Sequence, residues 1–162
     1  MEEYPRRKPN RLKGYDYGNS GSYFVTICTK NRCHILSDIG RNGALLRPTG
    51  KIVEAEIGHL MERFDILIDK YVIMPNHVHM ILTIQRAEQS PAPTISDVVC
   101  AFKSITTKLA NQSQQIPGQQ IWQRSFYDHI IRNEEEYCKI WEYIEENPSK
   151  WLEDCYYSDT NE

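Results

Sequence analysis

The apolar segment around residues 75–84 carries two histidines, His77 and His79, two positions apart. Side chains alternate along a β-strand, so both imidazoles would lie on one face, about 7 Å apart at their Cα atoms. Two neutral ring nitrogens at that spacing can bind one divalent cation. The alternative is a pair of partly exposed histidines at a strand end with no ligand. The apolar neighbours favour a function, because a polar pair on a buried strand is costly without one.

A second group lies in the C-terminal region, where Tyr143 and Asn147 are four residues apart. On a helical wheel that starts at Tyr137, they fall at about 240° and 280° and are neighbours. Tyr137 lies on the apolar stripe with Ile140 and is predicted to be a core aromatic. A phenol and an amide oxygen would then project from the same point of the helix. The alternative is a surface tyrosine and an asparagine that ends the helix before a proline.

The two groups together indicate phosphodiester chemistry. A tyrosine phenolate can attack a phosphodiester and leave a 5′-phosphotyrosine and a free 3′-hydroxyl. A divalent cation held by two histidines and a side-chain oxygen would polarise the phosphate and stabilise the developing charge. Such an intermediate conserves the bond energy, so the strand can be rejoined as well as cut.

The elements that must position these residues follow the order β(β)αββαβα. We predict an α+β fold, a ferredoxin-like sandwich in which helices pack on one face of a mostly antiparallel sheet. Hydrophobic spacing predicts strands over residues 22–29, 42–46, 66–73 and 77–84, and helices over residues 51–64, 95–111 and 134–146. Residues 121–131 are predicted to be a short strand or an irregular segment.

Composition is that of one intracellular domain. The chain has 162 residues, 40% hydrophobic and 25% charged, which is enough to bury a core. Its five cysteines are odd in number and form no CxxC pair, so we expect reduced thiols. No apolar run has the length of a signal peptide or a membrane span, and a cytoplasmic protein is expected.

The formal net charge of −3 argues at first against a nucleic-acid partner. However, residues 133–162 carry ten acidic and two basic side chains, so the rest of the chain is basic. Two acidic residues of the last predicted helix, Glu136 and Glu146, are candidates to help hold a cation. The N-terminal arm is the candidate DNA-binding segment, with a solvated tail as the alternative; its basic residues are Arg6, Arg7, Lys8, Arg11 and Lys13.

Three motifs in this order resemble the HUH-type single-tyrosine transposases. They are PNHVH at 75–79, WQRSFYDHIIRNEEEY at 122–137 and YIEENPSKW at 143–151. RKPNRLKGYDY at 7–17 and YFVTICTKNR at 23–32 extend the similarity over nearly the whole chain. The branch that it resembles most is that of the REP-associated tyrosine transposases, within the IS200-like superfamily.

The resemblance implies an enzyme that cleaves and joins single-stranded DNA near hairpins, with Mg²⁺ or Mn²⁺ as cofactor. It implies Tyr143 as the nucleophile and His77, His79 and Asn147 as metal ligands. Many simpler relatives carry glutamine in place of Asn147. The block around residues 126–132 is shared with the branch and gives Asp128 and His129 a supporting or DNA-contacting role, with a structural histidine as the alternative for His129. Arg124 and Arg132 are further candidate DNA contacts.

We expect three parts of the chain: a basic arm over 1–21, a catalytic domain over 22–152 and an acidic tail over 153–162. Tyr137 remains the alternative nucleophile, and the sequence leaves open whether the protein is a monomer or a homodimer. A different function is a catalytically silent nucleic-acid-binding module on a ferredoxin-like sheet, for which Tyr23 and Phe24 are the only aromatic candidates on the first strand. A phosphodiesterase with two histidine motifs is disfavoured, because the sequence holds no second HxH or HxT.

Overall fold

The structure is a computed structural model that describes residues 21–85 and 93–159. Within these ranges the chain forms six β-strands and three α-helices. In chain order they are β1 (Gly21–Cys28), β2 (Ser37–Gly40), β3 (Gly43–Leu46), α1 (Pro48–Phe64), β4 (Ile66–Ile73), β5 (His77–Ile84), α2 (Ile95–Gln114), β6 (Tyr127–Ile131) and α3 (Glu134–Glu146).

Four of the strands form one antiparallel sheet in the order β4-β5-β1-β6, and β2 pairs with β3 in a separate hairpin. Every neighbouring pair in the sheet is antiparallel. The chain order β1-α1-β4-β5-α2-β6 with β1 and β5 in the centre is the ferredoxin-like arrangement. The predicted α+β fold with an antiparallel sheet is therefore confirmed, and the two histidines of the PNHVH motif lie on a central strand, β5.

One face of the sheet packs against α1 and α2 and forms the main hydrophobic core. Tyr23, Val25 and Ile27 alternate along β1, point to this face and have no exposed surface. The helix residues of the same core recur at helical spacing, and they include Val53, Ile57, Leu60, Val98, Val99 and Phe102. Apolar side chains make up most of the contacts on this face.

The third helix, α3, packs on the opposite face of the sheet, across β4, β5 and β6. Its Ile144 is completely buried, and Trp141 lies under the Lys70 ammonium, with Nζ 4.8 Å from the ring centroid. Lys70 also forms an ion pair with Glu145 at 3.4 Å. The helices α1 and α2 lie on one face of the sheet, as predicted, whereas α3 departs from the prediction and covers part of the other face.

Element boundaries differ from the prediction where local chemistry overrides the hydrophobic pattern. The prediction does not include β2, which is held by its pairing with β3 and by the Arg47 guanidinium on Asp38. The first helix begins at Pro48 rather than at residue 51, since proline fits the first turn of a helix. The strand in the segment over 121–131 is limited to β6.

Candidate functional site

The two histidines of β5 meet on the face of the sheet that α3 covers. Neither His77 nor His79 has exposed surface, and their Nε2 atoms are 3.0 Å apart. The His77 Nδ1–H donates to the Asn76 Oδ1 at 2.8 Å, and the His79 Nδ1 shares a 2.8 Å hydrogen bond with the Thr26 hydroxyl. Both rings are thus fixed through Nδ1, which turns both Nε2 atoms toward one point. That is the arrangement by which proteins orient imidazole ligands of a metal.

Both imidazoles are neutral at neutral pH. Burial lowers the pKa of His77 to about 4, although the nearby Asp154 carboxylate partly opposes the shift. Burial also holds the pKa of His79 well below its ordinary value, and the charge of His77 acts in the same direction. A neutral imidazole keeps the lone pair that a cation needs.

Helix α3 brings Tyr143 to this point. The helix begins at Asn133, whose side chain accepts a hydrogen bond from the Glu136 backbone N–H, and three acidic residues occupy its first turn. The Tyr143 hydroxyl lies 3.4 Å from the His79 Nε2, and the side chain remains 40% exposed. Burial of the hydroxyl and the Asp154 carboxylate raise the pKa of Tyr143, so it is a phenol at neutral pH.

Asn147, at the C-terminus of α3, is buried between the same groups. Its Nδ2 donates to the Asp154 Oδ2 at 2.7 Å. Its Oδ1 is buried and makes no hydrogen bond of normal geometry within residues 21–85 and 93–159. The amide nevertheless lies close enough to His77 and Tyr143 to influence the pKa of each. A buried oxygen acceptor that lacks a donor is a candidate cation ligand.

Sequence reasoning missed Asp154, which follows a short 3-10 helix over Trp151–Glu153. Its carboxylate is 1% exposed, and its Oδ2 lies 3.9 Å from the His77 Nε2. The ligand atoms of His77, His79 and Asp154 all lie within 4.8 Å of one another. The aromatic residues around Asp154 could have indicated its position, because tryptophan and tyrosine are typical of packed segments and not of a solvated acidic tail.

The segment after α3 covers His77. The Tyr156 ring lies 4.7 Å from the His77 ring, and the Asn76 Nδ2 donates to the Tyr156 carbonyl at 2.8 Å. Trp151 is buried on the other side of His77, with ring centroids 6.0 Å apart. Tyr143, Asn147 and Asp154 line a cleft of about 140 Å³ at the edge of this cluster. The described part of the acidic tail therefore contributes to the site.

Tyr137 lies elsewhere on α3. Its ring packs 6.1 Å from the Trp141 ring, and burial together with the Asp69 carboxylate raises its pKa. It lies beside Trp141 on the helix, as the helical wheel predicts, but it is half-buried and lies outside the hydrophobic core, so the prediction of a core aromatic is wrong. No contact with either histidine is present among the described residues. Of the two candidate nucleophiles, Tyr143 is the one that the fold brings to His79.

The remaining candidates make other contacts. The His129 Nε2 binds the Glu136 carboxylate at 2.5 Å, and the Arg132 backbone N–H donates to the same carboxylate, so β6 is tied to the start of α3. Asp128 is buried on β6. Glu146 forms an ion pair with Lys150. The Arg124 and Arg132 side chains are exposed. The basic residues of the N-terminal arm lie outside the described residues: Arg6, Arg7, Lys8, Arg11 and Lys13.

None of the helices within residues 21–85 and 93–159 has the length and apolar character that crossing a bilayer requires.

Comparison with known proteins assigns this fold and site to a class. The family model described as "Transposase IS200 like" matches residues 18–147. The chain therefore belongs to the IS200-like transposase family, whose members are enzymes that act on DNA.

Among curated relatives, an uncharacterized protein of Haemophilus influenzae is 36% identical and is aligned over 94% of each chain. The REP-associated tyrosine transposase of Escherichia coli K12 is 25% identical over 83% of this chain and 70% of its own length. The predicted resemblance to the REP-associated branch is thus confirmed.

A solved structure described as the REP-associated tyrosine transposase bound to a REP hairpin shares the fold, with a TM-score of 0.56. It is 24% identical to this chain, and the match covers 93% of this chain and 74% of that one.

Proposed function

We propose that this IS200-like transposase cuts single-stranded DNA beside hairpins and rejoins it through a covalent 5′-phosphotyrosine at Tyr143. The observation that carries the proposal is the 3.4 Å approach of the Tyr143 hydroxyl to the His79 Nε2, which is itself 3.0 Å from the His77 Nε2. A nucleophile on α3 and a cation-binding pair on β5 meet at one partly exposed point. No such convergence is needed by a protein that only binds DNA.

The residues present fit a divalent cation, which we propose to be Mg²⁺ or Mn²⁺. The Asn147 Oδ1, which has no hydrogen-bond partner in the part of the chain that the structure describes, and the buried Asp154 carboxylate add oxygen donors to the two imidazole nitrogens. His77, His79 and Asn147 would hold the cation, with Asp154 as a further ligand. Bound there, a divalent cation supplies positive charge beside the phosphate that is to be cut.

The reaction itself is a displacement at phosphorus. The Tyr143 Oη forms a bond to phosphorus, the bond from phosphorus to the 3′-oxygen breaks, and the leaving 3′-oxygen ends as a hydroxyl. Because the raised pKa of Tyr143 keeps its hydroxyl protonated, the proton must leave Oη as the new bond forms. The phosphotyrosine ester keeps the strand end activated, so attack by a 3′-hydroxyl reverses the step and joins two ends.

The proposed substrate is a hairpin with a single-stranded flank. The E. coli relative is named for its association with REP sequences, and the structural neighbour is described with a REP hairpin bound. We propose that the arm over residues 1–21 contacts this DNA, next to a catalytic domain over 22–152 and an acidic segment over 153–162. The exposed Arg124 and Arg132 would add phosphate contacts.

The test is an adduct assay with Mn²⁺ or Mg²⁺ and a pool of 3′-end-labelled hairpin oligonucleotides with randomised single-stranded flanks, since a 5′-phosphotyrosine retains the 3′ part of the cut strand. A randomised pool removes the need to know the recognised sequence. The wild type is expected to form a protease-sensitive covalent adduct, and Tyr143→Phe is expected to lose it completely. Tyr137→Phe, on the same helix, is the matched control and should retain it.

Two outcomes would contradict this proposal. An adduct that persists in Tyr143→Phe and disappears in Tyr137→Phe would move the nucleophile to Tyr137. Hairpin binding without an adduct from any member of the pool, with either cation, would favour the catalytically silent binding module.

A further inference from the structure

An aromatic patch lies beside Tyr143 on the face of the sheet that α3 covers. It consists of Phe24 from β1, Tyr127 from β6 and the Tyr143 ring itself. The Phe24 ring lies 6.3 Å from the Tyr127 ring and 6.0 Å from the Tyr143 ring, edge-to-face in both cases. Tyr127 is 44% exposed and Phe24 is half-buried, so the patch faces solvent at the edge of the proposed active site.

The alternation of β1 separates two adjacent aromatic residues. Tyr23 points into the core and has no exposed surface, whereas Phe24 points to the opposite face. The His79 ring packs against Phe24 with centroids 5.2 Å apart, which fixes the phenylalanine next to the histidine pair. On the same face, Tyr127 is paired with Thr26, the residue that hydrogen-bonds to His79. The patch is thus continuous with the proposed catalytic cluster through two separate contacts.

We propose that Phe24 and Tyr127 form a stacking site for a nucleobase of the cleaved strand, next to the phosphate that Tyr143 attacks. This inference rests on the proposed function and names a base-binding site within it. A base is joined to its phosphate by one sugar, so a base that flanks a phosphate at the Tyr143 Oη can reach the Phe24 ring, whose centroid lies 6.0 Å from that of the Tyr143 ring. Tyr127 lies 6.3 Å beyond Phe24 and extends the same surface. Stacking on aromatic side chains is tolerant of sequence, because every base has a π-face.

The occupant is a single-stranded base rather than a duplex, for a geometric reason. Phe24 is recessed between His79 and the two tyrosines, whose rings stand at 72° and 86° to its own. Such a recess accepts the flat face of an unpaired base, whereas bases in a duplex are stacked on one another and present only their edges.

The experiment compares binding of two fluorescent probes of equal length: a dT12 oligonucleotide and a 12-residue abasic strand, which keeps the phosphates and lacks the bases. All measurements are made on the full chain in EDTA, so that binding is read without cleavage. The variants are Phe24→Leu, which keeps apolar volume without a ring, and Tyr127→Ser at an exposed position. Tyr71→Ser, on the edge strand β4, is the matched control, since Tyr71 is 38% exposed and lies outside the patch.

The wild type is expected to bind dT12 more tightly than the abasic strand. Phe24→Leu and Tyr127→Ser should each weaken dT12 binding by about tenfold. They should leave the affinity for the abasic strand unchanged, and Tyr71→Ser should change neither. Equal wild-type affinity for the two probes, or equal losses on both probes, would overturn the stacking site.

The result is separable from the proposed function, because the probe assay needs neither a cation nor the Tyr143 hydroxyl. Repeating it with Tyr143→Phe, which keeps the ring, should give the wild-type difference between probes. A failed adduct assay with a retained probe difference would reject the nuclease and keep the stacking site. The reverse pattern would reject the stacking site alone.

Discussion

The two faces of the central sheet bury different kinds of side chain. Beneath α1 and α2, alternate residues of β1 such as Val25 and Ile27 belong to the main hydrophobic core. Beneath α3 and the segment after it, the same strands bury His77, His79 and Thr26, joined by hydrogen bonds. The first face carries the stability of the fold, and the second holds polar groups in fixed positions at a desolvation cost that the first must offset.

Because side chains alternate along a strand, a single strand can contribute to the core on one face and to the site on the other. On β5, Val78 and Met80 belong to the core, and the two histidines between and before them belong to the site. A change on one face should therefore alter stability and leave the chemistry, and a change on the other should do the opposite. Four experiments test this separation.

The largest effect is expected from His79→Ala on the α3 face. It removes one imidazole and the contact with the Tyr143 hydroxyl, so cation-dependent adduct formation should fall by about 1,000-fold. The core face is untouched, and the circular dichroism spectrum should match that of the wild type. Adduct formation within about threefold of the wild-type rate would contradict the assignment of the chemistry to the α3 face.

Leu60→Ala on the core face should have the opposite profile. Leu60 is 1% exposed, so its truncation should lower the free energy of unfolding by about 2–5 kcal/mol in urea denaturation. The yield of adduct per folded molecule should stay at the wild-type value when measured well below the unfolding transition. A large loss of specific activity at full folding would show that the two faces are coupled.

Asp154→Asn tests whether the Asp154 carboxylate, on the α3 face, is a cation ligand. The amide keeps the size of the side chain but removes the negative charge beside the His77 Nε2, so Mn²⁺ affinity in calorimetric titration should fall by about 10- to 100-fold. Glu153→Gln is the matched control, because it removes a neighbouring exposed charge that lies outside the His77, His79 and Asp154 cluster. Equal losses in the two variants would point to general electrostatics instead of a ligand.

The smallest effect compares two glycines of α1, of which Gly50 is buried on the core side. A Cβ on Gly50 would lie 2.0 Å from the Leu36 carbonyl oxygen, whereas a Cβ on Gly58 would meet nothing within 4 Å. Gly50→Ala should destabilise the protein by about 1–3 kcal/mol, and Gly58→Ala should stabilise it by about 0.5–1 kcal/mol. Thermal unfolding of the pair measures both, and adduct formation should be unchanged. A stable Gly50→Ala variant would contradict this close packing.

Local patterns predicted the parts of the site that lie on regular elements. The strand over 77–84 and the helix over 134–146 have the predicted bounds, since each shows clear hydrophobic periodicity. The helical wheel also separates Tyr143 from Tyr137 correctly, because it depends only on helix geometry.

What could not be predicted depends on contacts between distant segments. Asp154 reaches His77 only because the chain turns back after Pro148 and packs Trp151 against the sheet, and no local pattern encodes that turn. Similarly, the Glu136 carboxylate has a favourable place in the first turn of α3, but its partner His129 comes from β6. The sequence alone does not indicate that the Glu136 carboxylate binds His129 and not a cation.

The central claim is that Tyr143 carries the covalent bond to DNA, and mass spectrometry of the trapped adduct tests it most directly. Trypsin places the two candidate tyrosines on different peptides. The only tyrosine of the peptide 140–150 is Tyr143, and the only tyrosine of the peptide 133–139 is Tyr137. If Tyr143 is the nucleophile, the mass of a nucleotide 5′-phosphate is expected to remain on the peptide 140–150 after nuclease digestion. The same mass on the peptide 133–139, or on neither, would contradict it.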